Sequence, residues 1–310
     1  MHKFTGAPRR LLSLAIIAVL AITAALVATA GPASAARTKN LVLNGQHGNF
    51  ALITPNGDLY IGYRTGWATE YLNQSSWIGP VKRGEGWDRF SHVAMVGVGM
   101  TYDNLFVAID TSGSDAGVYV YYWHQGTLSW DGPRYVAALS NSGWSGVSKL
   151  ISGGHGTVIP GLPAAAYFYT ITGNGDLYWH RWDGDYYGGW NTTPKVIGGG
   201  WGGFPFVTAM YDGTFWAAQT DGQLLWYQRH AVAYNGGDYW MNDGAAKVVG
   251  SGWYGGPCGF QTVLSGGSGV IHAVDSAGRL RYFRHPGSTY GTPDWDPVPL
   301  CGATIGTGWM

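Results

Sequence analysis

Phe260-Gln261-Thr262-Val263-Leu264 opens a stretch that closes on Gly306-Thr307-Gly308-Trp309, and its closing Gly-Trp step recurs at near-equal intervals, at Gly86-Trp87, Gly143-Trp144, Gly200-Trp201 and Gly252-Trp253. Successive tryptophans stand 57, 57, 52 and 56 positions apart. A period of that size marks a solenoid, array or propeller, whose function is sought in copies. Inside the stretch, the apolar opening run is followed by Ser265-Gly266-Gly267-Ser268-Gly269, then a second run from Val270 to Asp275 and the turn Ala277-Gly278. A third run, Leu280-Arg281-Tyr282-Phe283-Arg284-His285, leads into a long loop carrying Trp295 and a short run from Ala303 to Ile305. Turn glycines between alternating or apolar runs read as hairpins, so each unit holds four strands.

The other copies fit the same frame. Turn glycines recur as Asn56-Gly57, Ala116-Gly117, Asn174-Gly175 and Asp221-Gly222, and third strands start at Leu59-Tyr60, Val118-Tyr119, Leu177-Tyr178 and Leu224-Leu225. Val42 to Leu59 aligns without a gap to Val263 to Leu280 at a constant offset of 221, which gives five complete units and no partial sixth. A closed ring needs that count, whereas an open solenoid needs caps. The expectation is an all-β fold, a five-bladed β-propeller of four-stranded antiparallel blades. It forms one domain over 36–310, with repeats at about 40–87, 88–144, 145–201, 202–253 and 254–309. The pattern leaves open which strand lies innermost.

Composition agrees. Fifty-one glycines, 16 tryptophans and 15% aromatic residues suit many tight turns and large flat side chains. Residues 1–35 read as a secretory signal: Lys3, Arg9 and Arg10 precede a charge-free run from Leu11 to Ala30, and Ala33-Ser34-Ala35 suits a signal peptidase. The run is long enough to span a bilayer, so an uncleaved anchor is the alternative to a secreted, extracellular chain. Without that segment the chain has 15 Lys+Arg against 18 Asp+Glu. With 12% charged residues and no basic run, it lacks the electrostatic footprint for nucleic acid or anionic lipid. Cys258 and Cys301 are the only cysteines. Export permits a disulfide, but an up-and-down sheet places the start of its first strand and the start of its fourth at opposite ends.

Val248-Val249-Gly250-Ser251-Gly252-Trp253, followed by Phe260-x-x-Val263, Ser265-Gly266-Gly267, Ile271-His272-Ala273-Val274-Asp275 and Arg279-Leu280-Arg281-Tyr282-Phe283-Arg284-His285, resembles the tachylectin-2 family of five-bladed propeller lectins. The likeness runs over about residues 40 to 309, strong in repeats four and five, fair in one and three, and weak in two. The resemblance implies a propeller that binds N-acetylhexosamines through equivalent sites, one per blade.

A sugar site needs an aromatic face for the C–H side of a pyranose and planar polar groups for its hydroxyls. The loop after strand one and the loop after strand three share a face of each blade, which groups Asn44, His47, Arg64 and Trp67 in repeat one. The same rule groups Tyr102, Asp103, Trp123 and His124 in repeat two, and His155, His180, Arg181 and Trp182 in repeat three. Repeat four offers Tyr211, Asp212, Arg229 and His230; repeat five offers Ser265, Ser268, Arg284 and His285. Trp87, Trp144, Trp201, Trp253 and Trp309 are expected to wedge between blades, or to wall an interblade pocket, because repeats bury their common core by stacking.

These readings favour a monomeric lectin that holds neutral or N-acetylated sugars of a glycan or cell-wall polysaccharide without cleaving them. The alternative is an extracellular protein-binding scaffold, since fold does not fix function. A glycosidase needs two carboxyl groups across the scissile bond. Beyond the signal the only glutamates are Glu70 and Glu85, and Asp58, Asp176 and Asp221 sit beside turn glycines. No HExxH, paired-cysteine metal motif, GxxxxGK[ST] or GxSxG occurs, so no catalytic residue, metal or cofactor is expected.

Overall fold

The computed structural model describes residues 37–46, 48–65, 76–98, 103–156, 164–184, 187–190, 193–230, 239–296 and 300–310. They form a five-bladed β-propeller. Blade one is β1 (Leu41–Gln46), β2 (Asn49–Ile53), β3 (Leu59–Arg64) and β4 (Trp77–Gly84); blade two is β5 (Phe90–Val98), β6 (Asp103–Asp110), β7 (Gly117–His124) and β8 (Ser129–Ala137). Blade three runs β9 (Val147–Gly156), β10 (Ala165–Thr172), β11 (Leu177–Asp183), then an outer edge in two pieces, β12 (Gly189–Trp190) and β13 (Lys195–Gly198). Blade four repeats that plan with β14 (Phe206–Ala209), β15 (Thr214–Ala218), β16 (Leu224–His230), β17 (Tyr239–Trp240) and β18 (Lys247–Gly250). Blade five is β19 (Phe260–Gly267), β20 (Val270–Asp275), β21 (Leu280–Arg284) and β22 (Ala303–Gly306).

Strands pair antiparallel in chain order within every blade. The five first strands β1, β5, β9, β14 and β19 are innermost and line the central channel. Blade one is therefore contiguous in sequence, and the Leu41-Val42-Leu43 strand does not complete the last blade. The ring closes by side chains instead: Asn44 Nδ2 donates to His272 Nδ1 at 2.8 Å, and Trp77 Nε1 donates to the Ile305 carbonyl at 2.6 Å.

Burial explains why the strands read as they do. Second strands such as β10, β15 and β20 are buried along their whole length because neighbouring blades cover both faces. The core is accordingly divided into five clusters, one between each pair of neighbouring blades, and each contains one of the Gly-Trp tryptophans. Outer strands face solvent. β4, with Pro80, Lys82 and Arg83, is mostly exposed, and proline and charge blunt an edge that would otherwise pair with another chain.

Two sequence expectations are corrected. In blade two Gly117 already belongs to β7, and the turn falls earlier, around Gly113 with φ 68°. The Tyr135 ring packs where a Gly117 side chain would stand, which is why glycine recurs there without making the turn. The cysteines are joined: Cys258 and Cys301 have Cα atoms 5.4 Å apart in a disulfide. β22 pairs only with Leu280 to Tyr282, so it starts halfway along the sheet and Cys301 sits beside the middle of β21. Cys258 reaches the same level, packed in the cluster that holds Phe283.

The signal expected at 1–35, with His47, Trp67 and Tyr102, lies outside the described residues. Among the described residues no helix is long and apolar enough to cross a membrane.

Candidate functional site

Each Gly-Trp step sits where two features of the repeat meet. Gly86, Gly143, Gly200, Gly252 and Gly308 have φ between 74° and 80°, a left-handed conformation that glycine adopts without strain. In four blades the tryptophan N–H then donates to the carbonyl of the hairpin-turn glycine: Trp87 to Gly57, Trp201 to Gly175, Trp253 to Gly222 and Trp309 to Gly278, at 2.9–3.0 Å. The glycine three positions before each of these tryptophans also has a local cause. A Cβ at Gly84, Gly198, Gly250 or Gly306 would stand 2.6–2.8 Å from the indole nitrogen.

Around each wedge stands an aromatic group supplied by the next blade. Trp87 lies 4.8 Å from Tyr121 and 5.7 Å from Trp130; Trp201 lies 4.9 Å from Tyr227 and 5.6 Å from Trp240. Trp253 lies 4.7 Å from Phe283 and 5.6 Å from Trp295, and Trp144 lies 4.1 Å from His180 and 5.3 Å from Trp190. At the ring closure Trp309 meets Trp77 at 5.4 Å and Phe50 at 5.7 Å. The second tryptophan of each pair also locks the blades together. Trp130, Trp240, Trp295 and Trp77 donate their indole N–H to Arg83, Ile197, Val249 and Ile305 carbonyls at 2.6–2.7 Å, each four residues before a wedge.

Sequence reasoning missed this second set. Its signal is present, because a tryptophan precedes each Gly-Trp wedge by 10, 14, 11, 13 or 14 positions, but loops of unequal length blur the period.

Beside the pair between blades three and four the rim opens. A cleft of about 270 Å³ is lined by the Gly198-Gly199-Gly200 backbone and by Trp201, Phe204, Tyr227 and Trp240. Gly200 and Phe204 also line a second cleft of about 300 Å³, whose far wall is the turn Gln219-Thr220-Asp221. Aromatic faces, open backbone and a polar turn thus adjoin on the rim.

Among the described residues, most of those expected from the loops are engaged inside the propeller. Asn44 is buried on His272, and Arg64 is buried with its guanidinium 5.5 Å from the Tyr282 ring centre, where burial lowers its pKa. Trp123 is buried and donates to Gln125 Oε1 at 3.0 Å, while Asp103 accepts the Gln125 N–H. His124 pairs with Asp131 at 2.8 Å. His155 is half-buried near the end of β9. His180 stacks on Trp144 and bonds Thr170 Oγ1 at 2.8 Å; burial holds its pKa down to about 3. Arg181, buried, pairs with Asp183 at 2.7 Å, and the buried Trp182 lies under the Arg134 guanidinium.

In blade four Tyr211 and Asp212 are half-buried; Asp212 accepts the Thr214 N–H at 3.0 Å, and desolvation raises its pKa. Arg229 lies over Trp179 at 5.3 Å and His230 lies 5.4 Å from Tyr239. In blade five Ser265 is buried, its N–H donating to Thr208 Oγ1 at 2.6 Å, and Ser268 is exposed in the β19–β20 turn. Arg284 pairs with Asp296 at 3.2 Å. His285 is buried and stacked on Trp295 at 4.4 Å; it accepts from Trp216 Nε1 and donates to the Thr292 carbonyl, so its ring is neutral. Strand three has both faces covered, so polar residues there become packing and hydrogen-bonding partners inside the propeller. His124, Tyr211, Asp212, His230, Ser268 and Arg284 keep access to solvent.

At four of the five interfaces a wedge and a lock tryptophan are built on a Gly-x-Gly-Trp signature that is clearest in the C-terminal half. Residues 162–310 match the Tachylectin family. The tachylectin stretch includes both strings that carried the resemblance, Val248 to Trp253 and Phe260 to His285, and it contains the rim cleft between blades three and four. No curated protein matches the chain. Among solved structures, a triple arginine mutant of AofleA from Arthrobotrys oligospora is 12% identical with a TM-score of 0.43, covering 86% of this chain and 73% of that one. A mutant of the Aleuria aurantia lectin AAL in complex with Fucalpha1-6GlcNAc is 14% identical with a TM-score of 0.44, covering 84% and 78%. At that level these two carry no argument about this chain.

Among the described residues no group of His, Cys, Asp or Glu is placed to hold a metal.

Proposed function

We propose that this protein is a carbohydrate-binding propeller, a lectin that holds neutral or N-acetylated sugars in the rim clefts between neighbouring blades and releases them unchanged. The observation that carries the reading is the cleft between blades three and four. Phe204, Tyr227 and Trp240 offer aromatic surface for the C–H face of a pyranose, and the adjoining Gln219-Thr220-Asp221 turn offers hydroxyl partners. The match of residues 162–310 to the Tachylectin family supports the same reading.

The mechanism is multivalent. A shallow site binds a single sugar weakly, and recurrence of the aromatic pair around the ring supports several such sites on one rigid body. Simultaneous engagement of a surface that presents many copies raises avidity about 10²- to 10⁴-fold without any new contact. The basic and apolar segment before Ala35 supports secretion to the extracellular space, which N-terminal sequencing of exported protein checks.

A glycan array followed by calorimetric titration with N-acetylglucosamine and N-acetylgalactosamine tests the reading. Saturable binding at more than one site per chain, with Phe204→Ala removing one of them, is the expected result. A blank array from folded protein would overturn it.

A further inference from the structure

The central channel is separate from the rim clefts and differs from them in charge. Its mouth, at the end where the first strands begin, is a funnel of about 340 Å³ whose wall includes Arg37, His92 and Lys149. Lys39 stands beside it, its Nζ donating to Gln261 Oε1 at 3.1 Å on the funnel wall. Arg37 uses Nη2 to donate to the Phe90 carbonyl at 2.7 Å, and its Nη1 is buried with no hydrogen-bond partner. Three of the 15 lysines and arginines beyond the signal thus meet at one opening. Among the described residues no Asp or Glu lines the funnel; Asp88 acts on Arg37 electrostatically from outside its wall.

Below the cations the funnel turns apolar. Leu43, Val93, Ile151, Val207 and Val263, one residue from each first strand, form a ring that narrows the channel, and beneath it lies a chamber of only about 70 Å³. Water gains nothing from that ring, and positive charge at its edge is partly stripped of solvent. Desolvation depresses the basicity of Arg37, His92 and Lys149, and Arg37 adds to the effect on His92.

We propose that the channel mouth binds a small amphipathic anion, a carboxylate whose head is held by Arg37 and Lys149 and whose short apolar stem rests on the five-residue aliphatic ring. Neither half of the funnel suits a neutral sugar: the ring offers no hydroxyl partner, and the rim favours negative charge. A carboxylate at the mouth gives the Arg37 and Lys149 charges a counterion, and each methylene placed on the ring leaves water.

Calorimetric titration of the purified protein with hexanoate, acetate and hexanol at fixed ionic strength tests this. Hexanoate is expected to bind at one site per chain, at least about tenfold more tightly than either acetate or hexanol. Lys149→Met, which keeps the apolar stem and removes the charge, is expected to weaken hexanoate about tenfold, and Arg37→Met likewise. Hexanoate no tighter than acetate would sink the role of the ring, and hexanoate no tighter than hexanol would sink the role of the cations. An unchanged affinity in both variants would place the ligand elsewhere and overturn the proposal. Sugar titration of the same variants reads the rim clefts independently, so loss of one activity is distinguishable from loss of the other.

Discussion

The interface between blades two and three is built differently from the other four, and the difference shows what the Gly-x-Gly-Trp signature is for. Where Gly84, Gly198, Gly250 and Gly306 stand elsewhere, blade two has Asn141, and the Trp144 N–H turns back to the Asn141 carbonyl instead of reaching a hairpin glycine. The lock on the far side changes with it. The indole N–H of Trp190 is buried without a hydrogen-bond partner, whereas its four counterparts each donate to a carbonyl. His180 occupies the strand-three position held by Tyr121, Tyr227 and Phe283 at other interfaces, and it makes the closest ring contact of the set, 4.1 Å from Trp144. The wedge survives the loss of its backbone setting because packing and hydrogen bonding are separable contributions.

Three experiments break or sharpen this contrast. The largest effect is expected from Trp253→Ala, which removes a buried ring packed on Phe260, Phe283 and Trp295 and costs about 3–5 kcal/mol in urea denaturation. Trp144→Ala should cost as much. A loss below about 1 kcal/mol there would mean that the divergent interface does not rely on its wedge.

Acidification comes next. His180 at the divergent interface and His272 at the ring closure are held to a pKa of about 3 by burial, below an ordinary 6.5. Both are neutral when folded and take up protons on unfolding in this window. Stability is therefore fully present above pH 6.5 and lost as pH falls toward 3, by about 1.4 kcal/mol per pH unit per histidine. The pH slope of stability across that range should fall by about 1.4 kcal/mol per pH unit in His180→Phe, which stays aromatic like its counterparts. An unchanged slope would assign the acid sensitivity to other groups.

The smallest effect separates lock from orphan. Trp295→Phe removes the donor to the Val249 carbonyl and is expected to cost about 1 kcal/mol more than Trp190→Phe, which removes an indole N–H that has no partner. Equal losses would show that ring size alone matters.

The blade count and the four-strand plan of each blade were legible in the sequence, because each rests on a local signal repeated five times, whereas which strand lies innermost was not. The loop-based site was far less so. In an ordinary sheet, alternation separates a wet face from a dry one, but here both faces of every middle strand are covered, and Arg64, His180 and His285 look like ligands because their partners Tyr282, Trp144 and Trp216 lie in distant parts of the sequence. Asn44 and His272 illustrate this, paired across 228 positions. The cysteine pair was obscured for a related reason, since a shortened β22 breaks the assumption that all four strands run the full height of the blade.

The ring closure carries a cost that no other interface shares. Each of the first four interfaces joins neighbours in sequence, so the second blade forms beside one already made. The last must bring blade five back to blade one across nearly the whole chain, and loop-closure entropy opposes that step most. It is also the interface with the smallest core cluster, Val42, Phe50, Val274, Leu280 and Trp309. The molecule is in this sense a clasp: five plates joined in order by four hinges, and one fastening, made of Asn44–His272, Trp77–Ile305 and the Trp309 wedge, whose making and opening govern whether the plates behave as a ring.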